Sequence, residues 1–163
     1  MSRKIFLLLS LVATLLVPAL AHAQKLVFIV RHAERADEVM RDEADPPLSA
    51  AGQARAEKLS AMLADAGIKA IYVTAYRRTQ QTAAPLAAKL HLKPEQTPAA
   101  AAALASRLKS EHANDVVLIV VHSNSIGAIV KALGGPDVKL GDDEYDSMFV
   151  LVPATGAMTR VRY

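Results

Sequence analysis

Six consecutive apolar residues, Val116-Val117-Leu118-Ile119-Val120-Val121, constrain this chain more than any other stretch. β-Branched side chains dominate the run, which therefore reads as a strand. It has no polar residue on either alternating face, so it predicts burial on both sides, the condition of a central strand in a parallel sheet. The run follows Asn114-Asp115 and stops at His122-Ser123-Asn124-Ser125. Side-chain oxygens there suit a helix start, and the sequence predicts a helix over residues 125–133, broken by Gly134-Gly135-Pro136.

Two further apolar runs end in the same way. Leu26-Val27-Phe28-Ile29-Val30 stops at Arg31-His32, and Ala70-Ile71-Tyr72-Val73 stops at Thr74-Ala75-Tyr76-Arg77-Arg78. Between them, residues 35–47 are polar, rich in Asp and Glu, and closed by Pro46-Pro47, which predicts a loop. Ser49 then opens a helix whose apolar face is read as Ala51, Ala54, Leu59, Met62 and Leu63, with Gly67 at its end. An Ala-rich segment to Leu90, a connection over residues 91–98 and a helix-favouring stretch over residues 99–112 follow. The last two runs, residues 147–152 and 157–163, predict a hairpin at a sheet edge. Strand and helix alternating in this order predict an α/β three-layer sandwich, mostly parallel sheet with helices on both faces.

A chain of 163 residues suits one domain. Its start, Arg3-Lys4 followed by a charge-free apolar stretch over residues 5–17 and then Ala21-His22-Ala23, has the form of a secretory signal peptide. Pro18 and the shortness of the stretch argue against a membrane span. The expected organisation is a signal peptide over residues 1–23 and one domain over residues 24–163, exported to the periplasm or secreted. The leader holds Arg3 and Lys4 and no acid, so without it the formal charge falls from +3 to +1. A nearly neutral domain has no whole-molecule attraction for nucleic acid, nor a basis for stable membrane association after cleavage. The absence of cysteine excludes disulfides, a thiolate nucleophile and cysteine-ligated zinc. The sequence carries no signal for oligomeric state.

Three strand ends thus carry Arg31 and His32, Arg77 and Arg78, and His122. In a parallel sheet they share one edge, where open α/β sheets bind ligands. Each residue alone has an ordinary structural explanation, such as a hydrogen-bonded histidine or a solvated arginine. Two guanidinium groups gathered without an anion repel each other, however, so the cluster points to an anionic ligand. Phosphate fits best, because guanidinium matches its oxygens in bidentate pairs. A neutral imidazole among them can act as nucleophile toward phosphorus, and a second, protonated histidine can stabilise the equatorial oxygens. Such chemistry requires no metal and no cofactor.

Arg31-His32-Ala33-Glu34 resembles the R-H-G-E signature of the histidine phosphatase (phosphoglycerate mutase-like) superfamily. Leu48-Ser49-Ala50-Ala51-Gly52-Gln53-Ala54 is similar to its L-T-x-x-G-x-x-Q-A helix start, with the glutamine displaced toward the glycine. Residues 74–83, Thr74-Ala75-Tyr76-Arg77-Arg78-Thr79-Gln80-Gln81-Thr82-Ala83, resemble its S-x-x-x-R-A-x-Q-T-A segment, and Val120-Val121-His122 its second-histidine motif. The resemblance implies a phosphoglycerate mutase-like fold in which His32 is the phosphorylated nucleophile. Arg31 and Arg78 then bind phosphate, His122 completes the pocket, and Arg77 lies outside it. The small size is similar to the compact phosphatases of the superfamily, including phosphohistidine phosphatases. The expected partner is a small phosphorylated substrate or phosphohistidine.

A general acid must protonate the leaving atom, and Glu34, Asp45, Glu95 and Glu144 are the candidates. If none serves, phosphoramidates and aryl phosphates are favoured, because their leaving groups need less protonation. Three other readings compete. Ser123 could be the nucleophile of a serine esterase, although both glycines of the G-x-S-x-G elbow are absent. His32, Glu34 and His122 could hold zinc, although two arginines oppose a cation. An exported module could bind a phosphorylated ligand in the same pocket without turnover. The acidic residues 35–45 and the run Gly141-Asp142-Asp143-Glu144-Tyr145-Asp146 are expected to line the entrance and to select against highly charged ligands.

Overall fold

The computed structural model describes residues 26–36 and 45–163. The expected signal peptide over residues 1–23 and most of the acidic loop lie outside the described residues. In chain order the elements are β1 (Leu26–Arg31), α1 (Ala50–Leu63), β2 (Ile68–Val73), α2 (Arg77–Leu90), β3 (Glu95–Gln96), α3 (Ala101–Glu111), β4 (Val116–Val121), α4 (Ser123–Ala132), β5 (Ser147–Val152) and β6 (Ala157–Arg162).

All six strands form one sheet in the order β3-β2-β4-β1-β5-β6. β4 lies inside it, parallel to both β1 and β2, as its two apolar faces require. β5 and β6 form the expected edge hairpin, antiparallel to each other, with β5 antiparallel to β1. The sheet is therefore mixed. β3 is a two-residue edge strand beside β2 that no apolar run announces.

Strand alternation sorts the core into two layers. Val117, Ile119 and Val121 of β4 pack with Leu104 and Leu108 of α3 and with Ile126, Ile129 and Val130 of α4. Leu118 and Val120 pack on the opposite face with Leu59 and Leu63 of α1 and with Ala83, Leu86 and Ala87 of α2. Each fully buried Val, Leu or Ile contributes about 1.5–3 kcal/mol, so these two layers are what holds the sandwich together. No helix among the described residues is long and apolar enough to cross a membrane.

Two expectations about helices are corrected. α1 begins after Ser49, whose hydroxyl caps the Gly52 N–H at 3.1 Å, but its buried face is Gly52, Ala56, Leu59, Ser60 and Leu63. Ala51, Ala54 and Met62 are exposed. Gly52 belongs to that face because α1 lies close to the chain there: a Cβ on Gly52 would stand 2.2 Å from the Glu34 carbonyl oxygen. α4 begins at Ser123, two residues before the expected start, because His122 rather than a downstream serine occupies the cap position. The Ser125 hydroxyl accepts the His122 N–H at 3.2 Å.

The topology creates the site. The chain leaves β1 toward α1 on one face and leaves the adjacent β4 toward α4 on the other. A crevice opens at the carboxyl ends of two strands whose connections diverge in this way. Arg31 pairs with Val121, and Val73 with Val120, so the ends of β1, β4 and β2 are level along that edge.

Candidate active site

His32 follows β1 directly, and its N–H donates to the Val121 carbonyl at 2.8 Å, which extends the ladder one residue past the strand. Its side chain is buried, and Nδ1 lies 2.8 Å from the Ala33 carbonyl oxygen. A carbonyl only accepts, so Nδ1 carries the proton and Nε2 carries the lone pair. Burial lowers the His32 imidazole to about 4 from its ordinary 6.5; the Ala33 hydrogen bond opposes this, and the charges of Arg78, His122 and Arg31 add to it. At neutral pH the ring is uncharged and nucleophilic at Nε2.

The residue after His32 is held from two sides. The Ala33 N–H donates to Thr82 Oγ1 at 2.9 Å, and that hydroxyl donates to the Arg78 carbonyl at 2.7 Å. Both Ala33 and Thr82 are fully buried. One threonine of α2 thereby ties the loop after His32 to the first turn that presents Arg78. Gln81 holds the same loop further on, accepting the Leu48 N–H at 2.8 Å.

Arg31 is largely buried and anchored by a distant loop. Its Nη1 donates to the Gly141 carbonyl at 3.3 Å and also to the Asp142 carbonyl, and its Nη2 donates to the Tyr145 hydroxyl at 3.1 Å. The guanidinium carbon lies 3.9 Å from the centre of the Tyr145 ring, a cation–π arrangement. Arg31 Nε is buried with no hydrogen-bond partner among the described residues. The expected contribution of the 141–146 run to the pocket wall thus comes from two carbonyls and a tyrosine.

His122 completes the cluster, its ring centre 5.3 Å from that of His32. Its Nδ1 faces Arg78 Nη2 at 3.4 Å, and its Nε2 faces Thr74 Oγ1 at 3.1 Å. Guanidinium only donates, so Nδ1 is the acceptor and Nε2 carries the proton. Burial, followed by the charges of Arg78 and Arg31, lowers His122 to about 4. The Asp45 carboxylate beside Arg78 acts in the opposite direction and favours the protonated ring.

The sequence-identified residues Arg31, His32, Arg78 and His122 are thus brought together, while the Arg77 side chain is exposed. The four candidate acids separate. Glu34 receives Arg55 through both oxygens, Nε at 2.9 Å and Nη2 at 2.6 Å. Burial works against its ionisation, but the Arg55 hydrogen bonds prevail and hold it below the usual carboxylate range. Glu95 pairs with Arg107 at 2.5 Å. Glu144 accepts the Gly141 N–H and pairs with Arg160 and Arg162, and these contacts lower it to about 2. Asp45 alone touches the pocket, accepting the Arg77 N–H at 2.9 Å and Arg78 Nη1 at 3.4 Å.

These contacts bear on the rival chemistries. Both ring nitrogens of His122 are turned to Arg78 and Thr74, so Ser123 is not paired with it as nucleophile to base. Glu34 is turned to Arg55, so it does not join His32 and His122, and no group of three or more metal-ligating side chains occurs among the described residues.

Sequence reasoning passed over Thr74, Tyr76, Thr79, Thr82 and Arg55 as site residues. For Thr79 and Thr82 a signal existed, since two threonines on the buried side of an Ala-rich helix need partners. Tyr145 was named only as part of the 141–146 run, and its pairing with Arg31, 114 residues away, carried no signal.

Residues 27–101, which include Arg31, His32 and Arg78, match the family model of the histidine phosphatase superfamily, branch 1. Solved structures extend the likeness across the sheet. The protein histidine phosphatase SixA complexed with tungstate is 21% identical and superposes with a TM-score of 0.64, over 83% of this chain and 94% of that one. The mycobacterial glucosyl-3-phosphoglycerate phosphatase complexed with VO3 is 17% identical with a TM-score of 0.59, over 85% and 97%. At these identities the likeness establishes the fold. No curated protein sequence matches the chain.

Proposed function

We propose that this protein is a phosphatase that works through a phosphohistidine intermediate on His32 and needs no metal. The Nε2 lone pair attacks phosphorus, and the bond from phosphorus to the leaving atom breaks with its electron pair going to that atom. Water then attacks phosphorus, the P–Nε2 bond breaks, and inorganic phosphate departs. Arg31 and Arg78 hold the nonbridging oxygens, and His122 joins them once the bound anion favours its protonation.

The observation that carries this reading is the hydrogen bond from His32 Nδ1 to the Ala33 carbonyl, which leaves the basic nitrogen at Nε2. The tungstate and VO3 held by the two related structures are oxyanions like phosphate, which supports an oxyanion pocket here. The buried donor at Arg31 Nε supports it as well. With three candidate acids engaged in ion pairs, substrates with readily displaced leaving groups are favoured. The same engagement favours the second reading, an exported module that binds a phosphorylated ligand without turnover.

Release of phosphate from an aryl phosphate in chelator-treated buffer tests the proposal. Turnover by the wild-type protein and its loss in His32→Ala are expected. Equal turnover in the variant would overturn the assignment, and wild-type binding of phosphate without turnover would favour the second reading.

A further inference from the structure

Tyr76 stands beside the pocket, in contact with Arg78 and His122. It caps α2, and its carbonyl accepts the Thr79 N–H at 3.1 Å, the Gln80 N–H at 3.3 Å and the Thr79 hydroxyl at 2.9 Å. The cap that presents Arg78 therefore also fixes the base of this tyrosine. The ring meets His122 at right angles, 5.2 Å between centres, and the Arg78 guanidinium carbon lies 4.2 Å from its centre. Even so, Tyr76 is 45% exposed, whereas Tyr72 is fully buried and Tyr163 nearly so. Its hydroxyl bonds to no other described residue. Tyr145 differs in that its hydroxyl as well as its ring is committed to an arginine, Arg31.

A phosphoryl group held by Arg31, Arg78 and His122 must send its leaving group outward past these side chains. A planar ring suits an accessible tyrosine ring fixed next to the phosphate-binding arginine.

We propose that Tyr76 is a specificity-determining residue that stacks against a planar aromatic or heteroaromatic leaving group. The substrate class is then a phosphoryl group attached directly to such a ring through oxygen or nitrogen. This rests on the phosphate reading above and deepens it.

Two phosphonates test it without turnover. Phenylphosphonate and cyclohexylphosphonate have the same acidic head and rings of similar size, of which one is planar and aromatic. Calorimetric titration of the full chain is expected to show tighter binding of the phenyl compound by about fivefold, the scale of one aromatic pair. The ratio falls to near one in Tyr76→Leu and is kept in Tyr76→Phe. Taking the ratio cancels any change that the variant transmits through Arg78 or His122. Wild-type binding of both compounds with equal affinity overturns the stacking while leaving the phosphate pocket in place, as does a preference that survives Tyr76→Leu. Binding of neither compound overturns the phosphate reading itself.

Discussion

Replacing Thr82 with valine removes one hydroxyl and almost no volume. In the native fold that hydroxyl accepts the Ala33 N–H at 2.9 Å and donates to the Arg78 carbonyl at 2.7 Å, and the side chain is fully buried. Thr82→Val leaves the Ala33 N–H without an acceptor, and an unmet buried donor costs about 1–3 kcal/mol. The Arg78 carbonyl suffers less, because the helix ladder also serves it. A loss of about 2 kcal/mol is expected, which for a domain of this size lowers the melting temperature by about 4–8 °C. Urea unfolding should show a lower midpoint at an unchanged slope, since the amount of surface exposed on unfolding stays the same. Thr82→Ser keeps the hydroxyl and should recover most of the loss. Turnover should fall further than stability implies, because the Ala33 carbonyl that sets the His32 tautomer belongs to the residue Thr82 holds. A loss below about 0.5 kcal/mol, or a serine variant as unstable as the valine one, would refute the claim that this bond organises the loop.

The remaining expectations concern charge. His32 and His122 both lie near 4, below the ordinary 6.5, so the unfolded chain binds protons that the fold excludes between those values. Stability is whole above pH 6.5 and falls as pH drops toward 4; titration of the two imidazoles by NMR should give midpoints near 4, and midpoints near 6.5 would show that burial does not act as described. Arg78→Ala should weaken inhibition by inorganic phosphate at least about tenfold, the scale of a charged hydrogen bond, while Arg77→Ala should change it little. The reverse order in an inhibition assay would place the wrong arginine in the pocket.

Much of the architecture was readable from residue type alone, because the information was local. The six apolar residues of β4 could only lie inside a sheet, and the runs around Pro153 to Gly156 could only form an edge hairpin. Apolar periodicity also found α1 but chose the wrong face. It missed Gly52 because close approach to the Glu34 backbone demands a glycine there, a tertiary demand that hydrophobicity does not encode. β3 escaped notice because two residues at an edge carry no pattern.

The site divides in the same way. Arg31, His32 and His122 follow directly from strand ends in a parallel sheet, whereas Arg78 was separated from Arg77 only by the resemblance of residues 74–83. The state of His122 did not follow, since it depends on burial and on the charges of Arg78, Arg31 and Asp45 around the ring. Nor did the sorting of the acids. Glu34 looked closest in sequence, yet Arg55, 21 residues away, draws it aside, while Asp45 reaches Arg78 through the first turn of α2.

The central claim is that phosphorus becomes bonded to His32. Incubating the protein with an aryl phosphate, quenching in alkali, which preserves phosphoramidates, and mapping the adduct by mass spectrometry measures this directly. The expected result is one phosphate on His32, absent from His32→Ala. An adduct on Ser123, or turnover by the wild-type protein with no adduct on His32 at any quench time, would contradict it.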